Sequence, residues 1–161
     1  MADPVIEPMT IGMTLNRRAV TVEVDPSEPL AFTLRERLGL TGTKVSCDVQ
    51  ACGACTVLID GLPHSACTVL TYEARGRDVQ TVEGLAPERD ELDRLQAAFI
   101  AENGFQCGFC TPGMLMAARA WQTVDADPEA DGEDLVEYMS GNLCRCTGYL
   151  PIAASILRAT E

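Results

Sequence analysis

Two stretches near the start of the chain, Met9 to Leu15 (MTIGMTL) and Ala19 to Val24 (AVTVEV), carry apolar residues at alternate positions. That period puts successive side chains on opposite faces of a strand. Asn16-Arg17-Arg18 between them reads as a hairpin connection. The pattern then changes: Leu30, Leu34 and Leu38 recur every fourth residue in PLAFTLRERL, which predicts a helix over Pro29 to Leu38 that Gly39 stops. CTVLIDGLPHSAC predicts a strand, an Asp60-Gly61 turn and a returning strand, and VQTVEGL a last short strand. Beyond Leu85 the helical period takes over. Pro87 to Glu102 sets Leu92, Leu95 and Phe99 on one face, with acids in the first turn and Asn103-Gly104 as the stop. Thr111-Pro112 predicts another helix start, with Thr as N-cap and Pro at the first helical position. The polar, acidic VDADPEADGED reads as a connection, and Asp134 to Met139 and Pro151 to Thr160 as two further helical pieces.

These elements predict an α+β chain whose β signal runs from Met9 to Val82 and whose second part is helical, with a boundary between residues 83 and 88. The expected domains are residues 1–85 and 86–161. Of the 161 residues, 47% are hydrophobic and only 5% aromatic, so the core is expected to be aliphatic. The formal net charge of −12 makes nucleic acid a poor partner, because phosphate binding needs a surplus of Lys and Arg. No stretch approaches the roughly 20 apolar residues of a membrane span. The first residues lack the basic start and apolar run of a secretory signal, so the expected location is cytoplasmic.

The eight cysteines fall four to each part. In a reducing compartment they are not expected to form four disulfides, and metal binding leads. The first set is Cys47, Cys52 and Cys55 in CDVQACGAC, then Cys67 after eleven further residues. C-x4-C-x2-C followed by a distant fourth cysteine is the plant-ferredoxin spacing for a 2Fe–2S cluster. Such a loop must wrap a small object and offer backbone N–H groups to its sulfurs. Gly53 and Ala54 permit close approach, and Gly42 helps the chain turn into the loop. Zinc knuckles instead use two short cysteine pairs across a gap, which fits this set less well. A Rieske centre needs two histidines, and His64, the single one, reads as polar surface. GLTGTK lacks the residue order of a phosphate loop.

The second set is Cys107 and Cys110 in QCGFC, and Cys144 and Cys146 in LCRC, separated by 33 residues. By spacing alone this could hold zinc. Both pairs, however, precede a predicted helix start, whose positive end favours a thiolate-rich anion. Cys144 and Cys146 are too close in sequence to bridge each other comfortably. They would either share one iron or take one coordination position each.

TGTKVSCDVQACGACTVLIDG with SAC, then NGFQCGFCTPGM and GNLCRCTGY, closely resembles the iron–sulfur part of the xanthine-oxidase-type molybdenum hydroxylases, in particular the free-standing small subunit of their heterotrimeric bacterial members. The likeness runs over residues 8 to 158 and includes all eight cysteines. It implies an N-terminal plant-ferredoxin-like (β-grasp) domain with the outer 2Fe–2S cluster on Cys47, Cys52, Cys55 and Cys67. It also implies a C-terminal four-helix-bundle domain with the inner cluster on Cys107, Cys110, Cys144 and Cys146. A large partner subunit would hold a molybdenum–pterin cofactor, and a medium subunit FAD. Gln106 and Cys146 stand where the family contacts the pterin. Ser46 and Gln50 stand where the family often has Gly, and Gln50 is expected not to need a positive φ. The chain has no catalytic constellation of its own, so substrate chemistry belongs to the partner. Met114 and Met116 read as helix core, Trp121 and Phe105 as packing residues, and apolar surface around QCGFC and GNLCRC as partner-covered. The competing expectations are a zinc-stabilised adaptor without redox function and a free ferredoxin.

Overall fold

The computed structural model describes residues 7–86, 91–124 and 132–160. Five strands form one mixed sheet: β1 (Met9–Leu15), β2 (Arg18–Val24), β3 (Thr56–Ile59), β4 (Leu62–Ser65) and β5 (Asp78–Gln80), in the spatial order β2-β1-β5-β3-β4. Only β1 and β5 run parallel; the other pairs are antiparallel. In β1 the alternation is carried through, with Ile11, Met13 and Leu15 buried. The β1–β2 connection is one residue shorter than the pattern suggested. Arg18 already pairs with Leu15, and Asn16 (φ 49) and Arg17 (φ 70) alone make the turn. Two consecutive left-handed residues give the twist that two-residue hairpins need. Asn16 tolerates that backbone, and its side chain is tied to Thr81: Nδ2 donates to Oγ1 at 2.9 Å, and Oδ1 accepts from the Thr81 N–H at 2.8 Å.

The expected helix after Pro29 is present but changes type. α1 (Leu30–Phe32) widens at once into a π-helical turn, Thr33–Arg37. Leu30 and Leu34 are fully buried and Gly39 ends the segment at φ 70. Below this turn lies a buried polar knot. The Glu28 carboxylate accepts from Arg37 Nε and Nη2 (2.7 and 2.6 Å) and from the Thr33 hydroxyl, and Thr33 Oγ1 lies 2.8 Å from Thr71 Oγ1. VQTVEGL is not wholly a strand: β5 ends at Gln80, and Val82–Gly84 is a 3-10 turn.

α2 (Arg94–Ala101) is shorter than Pro87 to Glu102. Residues 87–90 lie outside the described residues. Asp93 caps the helix, accepting from the Leu95 N–H at 2.9 Å while Gln96 Oε1 accepts from the Asp93 N–H. Capping there satisfies the orphan N–H groups of the first turn and leaves Leu92 outside the helix and exposed. α3 (Thr111–Val124) includes Thr111, so the cap lies one residue before the expected Thr: the Met114 N–H donates to Cys110 O at 3.0 Å. α4 (Gly132–Tyr138) begins two residues before Asp134 and continues as the 3-10 turn Met139–Gly141; most of the acidic connection falls at 125–131, outside the described residues. α5 (Leu150–Arg158) follows Tyr149, whose φ is 71.

Two apolar cores result. One face of the sheet, through Met13, Leu15, Val57, Ile59 and Val79, packs on Leu30 and Leu34. The other core gathers Leu95, Phe99, Met114, Met116, Trp121, Leu135, Ile152 and Ile156 from the helices, and Leu58 from β3. All four residues of β3 are therefore buried, which explains its apolar run Val57-Leu58-Ile59: helix α3 covers the second face. Among the described residues no helix is long and apolar enough to cross a membrane.

Candidate metal centres

The first thiol loop leaves α1 and returns to β3. The Lys44 N–H donates to Ala54 O at 3.3 Å, closing it at its base, and Gly42 N–H donates to Glu83 Oε1 at 2.8 Å. Inside the loop Asp48, Gln50 and Gly53 take positive φ (59, 60 and 67). The expectation for Gln50 is thereby overturned. Left-handed residues alternating with ordinary ones turn successive N–H groups towards a common concavity that suits an anion. Gln50 is held in this conformation in part by its side chain, whose Oε1 accepts from Thr68 Oγ1 at 3.1 Å.

Electrostatics follow from the donors. Cys47 Sγ accepts from the Ala51 N–H at 3.3 Å. The N–H groups of Val49 and Ala51, together with the Cys52 thiol, lower the Cys47 pKa to about 7. Cys55 is buried, and burial, followed by its contact with Cys67, pushes its thiol up to about 12. The first set thus forms two close pairs, Cys47 with Cys52 and Cys55 with Cys67, the second deeper than the first.

The second set is assembled from two loops. Gly108 (φ 79) turns QCGFC back so that Cys110 meets the start of α3. Cys144 and Cys146 do not pair with each other. Cys146 Sγ lies 3.6 Å from Cys107 Sγ, and Cys144 interacts with Cys110. The intervening Arg145 lets one thiol point to the exposed pair and the next to the inner pair. Burial, followed by Cys144, raises the Cys110 pKa to about 12. Burial opposes ionisation of Cys144 too, but hydrogen bonds from the Thr147 hydroxyl and backbone outweigh it and bring that pKa to about 7. The Cys146 pKa is raised, first by its contact with Cys107. Gln106 Nε2 donates to Cys146 O at 3.0 Å and so fastens the two loops together. Tyr149 folds back to accept the Cys144 N–H at 3.0 Å.

The donor set fits a two-iron cluster at each place. Two thiolates on one tetrahedral metal at about 2.3 Å each stand about 3.8 Å apart, and the Cys107–Cys146 separation of 3.6 Å is close to that edge. A single zinc would need its four sulfurs around one point. Pairs of thiols, with N–H donors aimed at sulfur, are what a dinuclear, thiolate-ligated anion requires.

The other expected residues sort clearly. Met114, Met116 and Trp121 are core. His64 is half-buried on β4, opposite Val57. Phe105, expected to pack, is instead exposed beside the second thiol set, as are Phe109, Leu143, Tyr149 and Leu150, the last by 81%; Val45 and Val49 are exposed beside the first. Several residues of the site were not singled out from the sequence: Thr147 and Tyr149, which bind Cys144, and Gly113 and Asn142, which lie where the two thiol-bearing parts meet. Their signal was their place inside the cysteine motifs, but hydrogen-bond partners up to 89 residues distant leave no periodic trace.

Comparison with known proteins places this geometry. Residues 13–86 match the 2Fe-2S iron-sulfur cluster binding domain, and residues 81–157 the [2Fe-2S] binding domain. The chain is 47% identical to a probable xanthine dehydrogenase subunit of Bacillus subtilis, over 91% of this chain and 82% of that one. It is 40% identical to the nicotinate dehydrogenase small FeS subunit of Eubacterium barkeri, over 95% and 96%. The crystal structure of quinoline 2-oxidoreductase from Pseudomonas putida 86 superimposes with a TM-score of 0.89 at 43% identity, covering 95% of this chain and 94% of that chain.

Proposed function

This chain belongs to the family of small iron–sulfur subunits of the xanthine-dehydrogenase-type molybdenum hydroxylases, and from that membership we propose that it is the electron-transfer subunit of such an oxidoreductase. One observation carries the reading: eight thiols arranged as two quartets, each made of two close pairs. Cys47, Cys52, Cys55 and Cys67 hold the outer 2Fe–2S cluster in a β-grasp domain, residues 1–85. Cys107, Cys110, Cys144 and Cys146 hold the inner one in a four-helix domain, residues 86–161. When bound, each cluster supplies a one-electron redox centre.

The chain's own residues serve three purposes. Backbone N–H groups at Val49 and Ala51, and Thr147 beside Cys144, stabilise negative charge on sulfur. The exposed apolar residues Phe109, Leu143 and Leu150 present the inner set to the large molybdenum–pterin subunit, which buries them. Gln106, whose amide still has a second N–H and a carbonyl to offer, and Cys146 face the pterin there. A medium FAD subunit receives electrons on the outer side. Substrate chemistry takes place on the large subunit.

The test is the iron, acid-labile sulfide and zinc content of the purified chain, with EPR after dithionite reduction. About four irons and four sulfides per chain with two distinguishable signals are expected. Zinc without sulfide and no signal would replace this reading with a structural metal protein.

A further inference from the structure

The two thiol-bearing parts meet at a small buried seam. Leu143, the residue before Cys144, donates its N–H to Cys52 O at 2.9 Å, so a hydrogen bond joins the backbone of the second set directly to the backbone of the first. Beside it, the side chain of Asn142 is buried. Its Nδ2 donates to Gly53 O at 3.0 Å and lies 3.4 Å from Thr56 Oγ1, and Thr56 Oγ1 donates to the same Gly53 carbonyl at 2.7 Å. Gly53 has no room for a side chain. A Cβ there would stand 2.6 Å from Asn142 Cγ and Nδ2, and its φ of 67 is one that glycine adopts without strain. The Asn142 amide therefore lies directly against the residue after Cys52, and its own N–H is anchored to Met139 O at 3.0 Å at the end of α4's 3-10 extension.

We infer that Asn142 is a positioning residue that fixes the spacing of the two cluster-binding segments, by clamping Gly53 so that the Cys52–Leu143 hydrogen bond stays formed. The inference rests on the electron-transfer reading above. The chemistry is specific to an amide at this place. The Gly53 carbonyl accepts, so the residue against it must donate. The partner must also be short and flat to fit above a glycine, and it must be rooted in the segment that leads into Cys144. Asp has the shape without the donor, and Ala has neither. With the clamp lost, the segment 142–144 is held to the first loop by one backbone bond at the edge of exposed Leu143, and that bond opens more often.

The experiment uses the full chain with both clusters. Asn142→Ala and Asn142→Asp are compared with wild type and with Ile156→Val, which loses a core methylene away from the seam. Three quantities are read: iron and sulfide content, amide hydrogen exchange of Leu143, and the magnetic interaction between the two reduced clusters by EPR. Both Asn142 variants are expected to keep iron, sulfide and two signals. Their Leu143 exchange should rise roughly ten- to a hundredfold, as for a lost buried hydrogen bond, and the interaction between the two signals should weaken or broaden. Ile156→Val should change neither. Unchanged exchange and unchanged interaction in both Asn142 variants would overturn the inference, as would the same changes in Ile156→Val. Asn142→Asp keeps the side-chain shape and carries the test should the Ala variant not accumulate. A wild-type chain without two reduced signals would instead remove the cluster reading itself, and this inference with it.

Discussion

Gly113→Ala is a substitution for which two physical effects predict opposite signs. Gly113 is inside α3, and in an exposed helix interior Gly→Ala stabilises by up to about 1 kcal/mol. Here the helix lies against the first thiol loop. A Cβ at Gly113 would stand 2.2 Å from Gly53 O and 3.1 Å from the Cα and carbonyl carbon of Ala54. Ordinary carbon–oxygen contact begins near ~3.3 Å, so helix and loop must separate by about 1 Å. Neither side can yield cheaply, because the obstacle is backbone. The Gly53 carbonyl is held by Asn142 and Thr56, and the loop runs straight into β3, which is buried on both faces. Overpacking of this kind costs about 1–3 kcal/mol or more, which exceeds the propensity gain. The net expectation is a loss of about 1–2 kcal/mol. At 2–4 °C per kcal/mol for a chain of this size, the melting midpoint falls by about 2–8 °C. The measurement is thermal and urea unfolding of the cluster-loaded chain. A variant as stable as wild type, or more so, would show that the helix does not press on the loop as described, and the close seam between the two parts would have to be given up.

Three other outcomes are expected. Glu28→Gln weakens the buried knot under α1 by about 1–2 kcal/mol at neutral pH, a modest figure because Arg37 remains 40% exposed to water. The hydrogen bonds from Arg37, chiefly, hold the Glu28 carboxyl below its usual pKa, so its contribution is complete above the unfolded value and disappears as the pH falls through the folded one. Urea midpoints of wild type and variant should differ at pH 7 and converge only as the pH falls below the ordinary carboxylate range; parallel curves down to that point would refute the assignment. Asn16→Gly relieves the left-handed backbone of the β1–β2 turn yet removes both bonds to Thr81, and should still lower stability by about 1–2 kcal/mol in urea unfolding. A neutral result would mean that the turn needs only the conformation. Gln106→Ala should leave iron and sulfide unchanged but, if the proposed role holds, slow reduction of the inner cluster by substrate in the assembled enzyme, because it removes both the tie to Cys146 O and the amide proposed to face the pterin. Unchanged single-turnover reduction would remove Gln106 from that role.

The α+β class, the order of elements and the two cysteine quartets were legible along the chain because each rests on local pattern. Alternation marks β1 and β2, the repeat of Leu30 and Leu34 marks the segment after Pro29, and cysteine spacing marks the loops. The departures fall where a particular side-chain hydrogen bond decides. Asp93, supported by Gln96, starts α2 later than the acids and Leu92 suggest. Gln50 accepts a positive φ in a loop that packs it beside Thr68. Sequence could state that Cys144 and Cys146 do not bridge each other, since one residue is too short a tether. It could not state that they part company, one to Cys107 and one to Cys110, because that depends on where QCGFC arrives. In the same way the change in pattern near Leu85 suggested a boundary, while β3, covered on one face by the first core and on the other by α3, joins the two parts across it. The sequence by itself determined the number and spacing of the thiols, and so the kind of centre to expect, because those are properties of the chain. The tertiary structure alone decided how the two thiol-bearing segments meet, because Gly113, Gly53 and Asn142 act through van der Waals contact and one shared carbonyl, and such contacts exist only once segments far apart in the chain have been packed together.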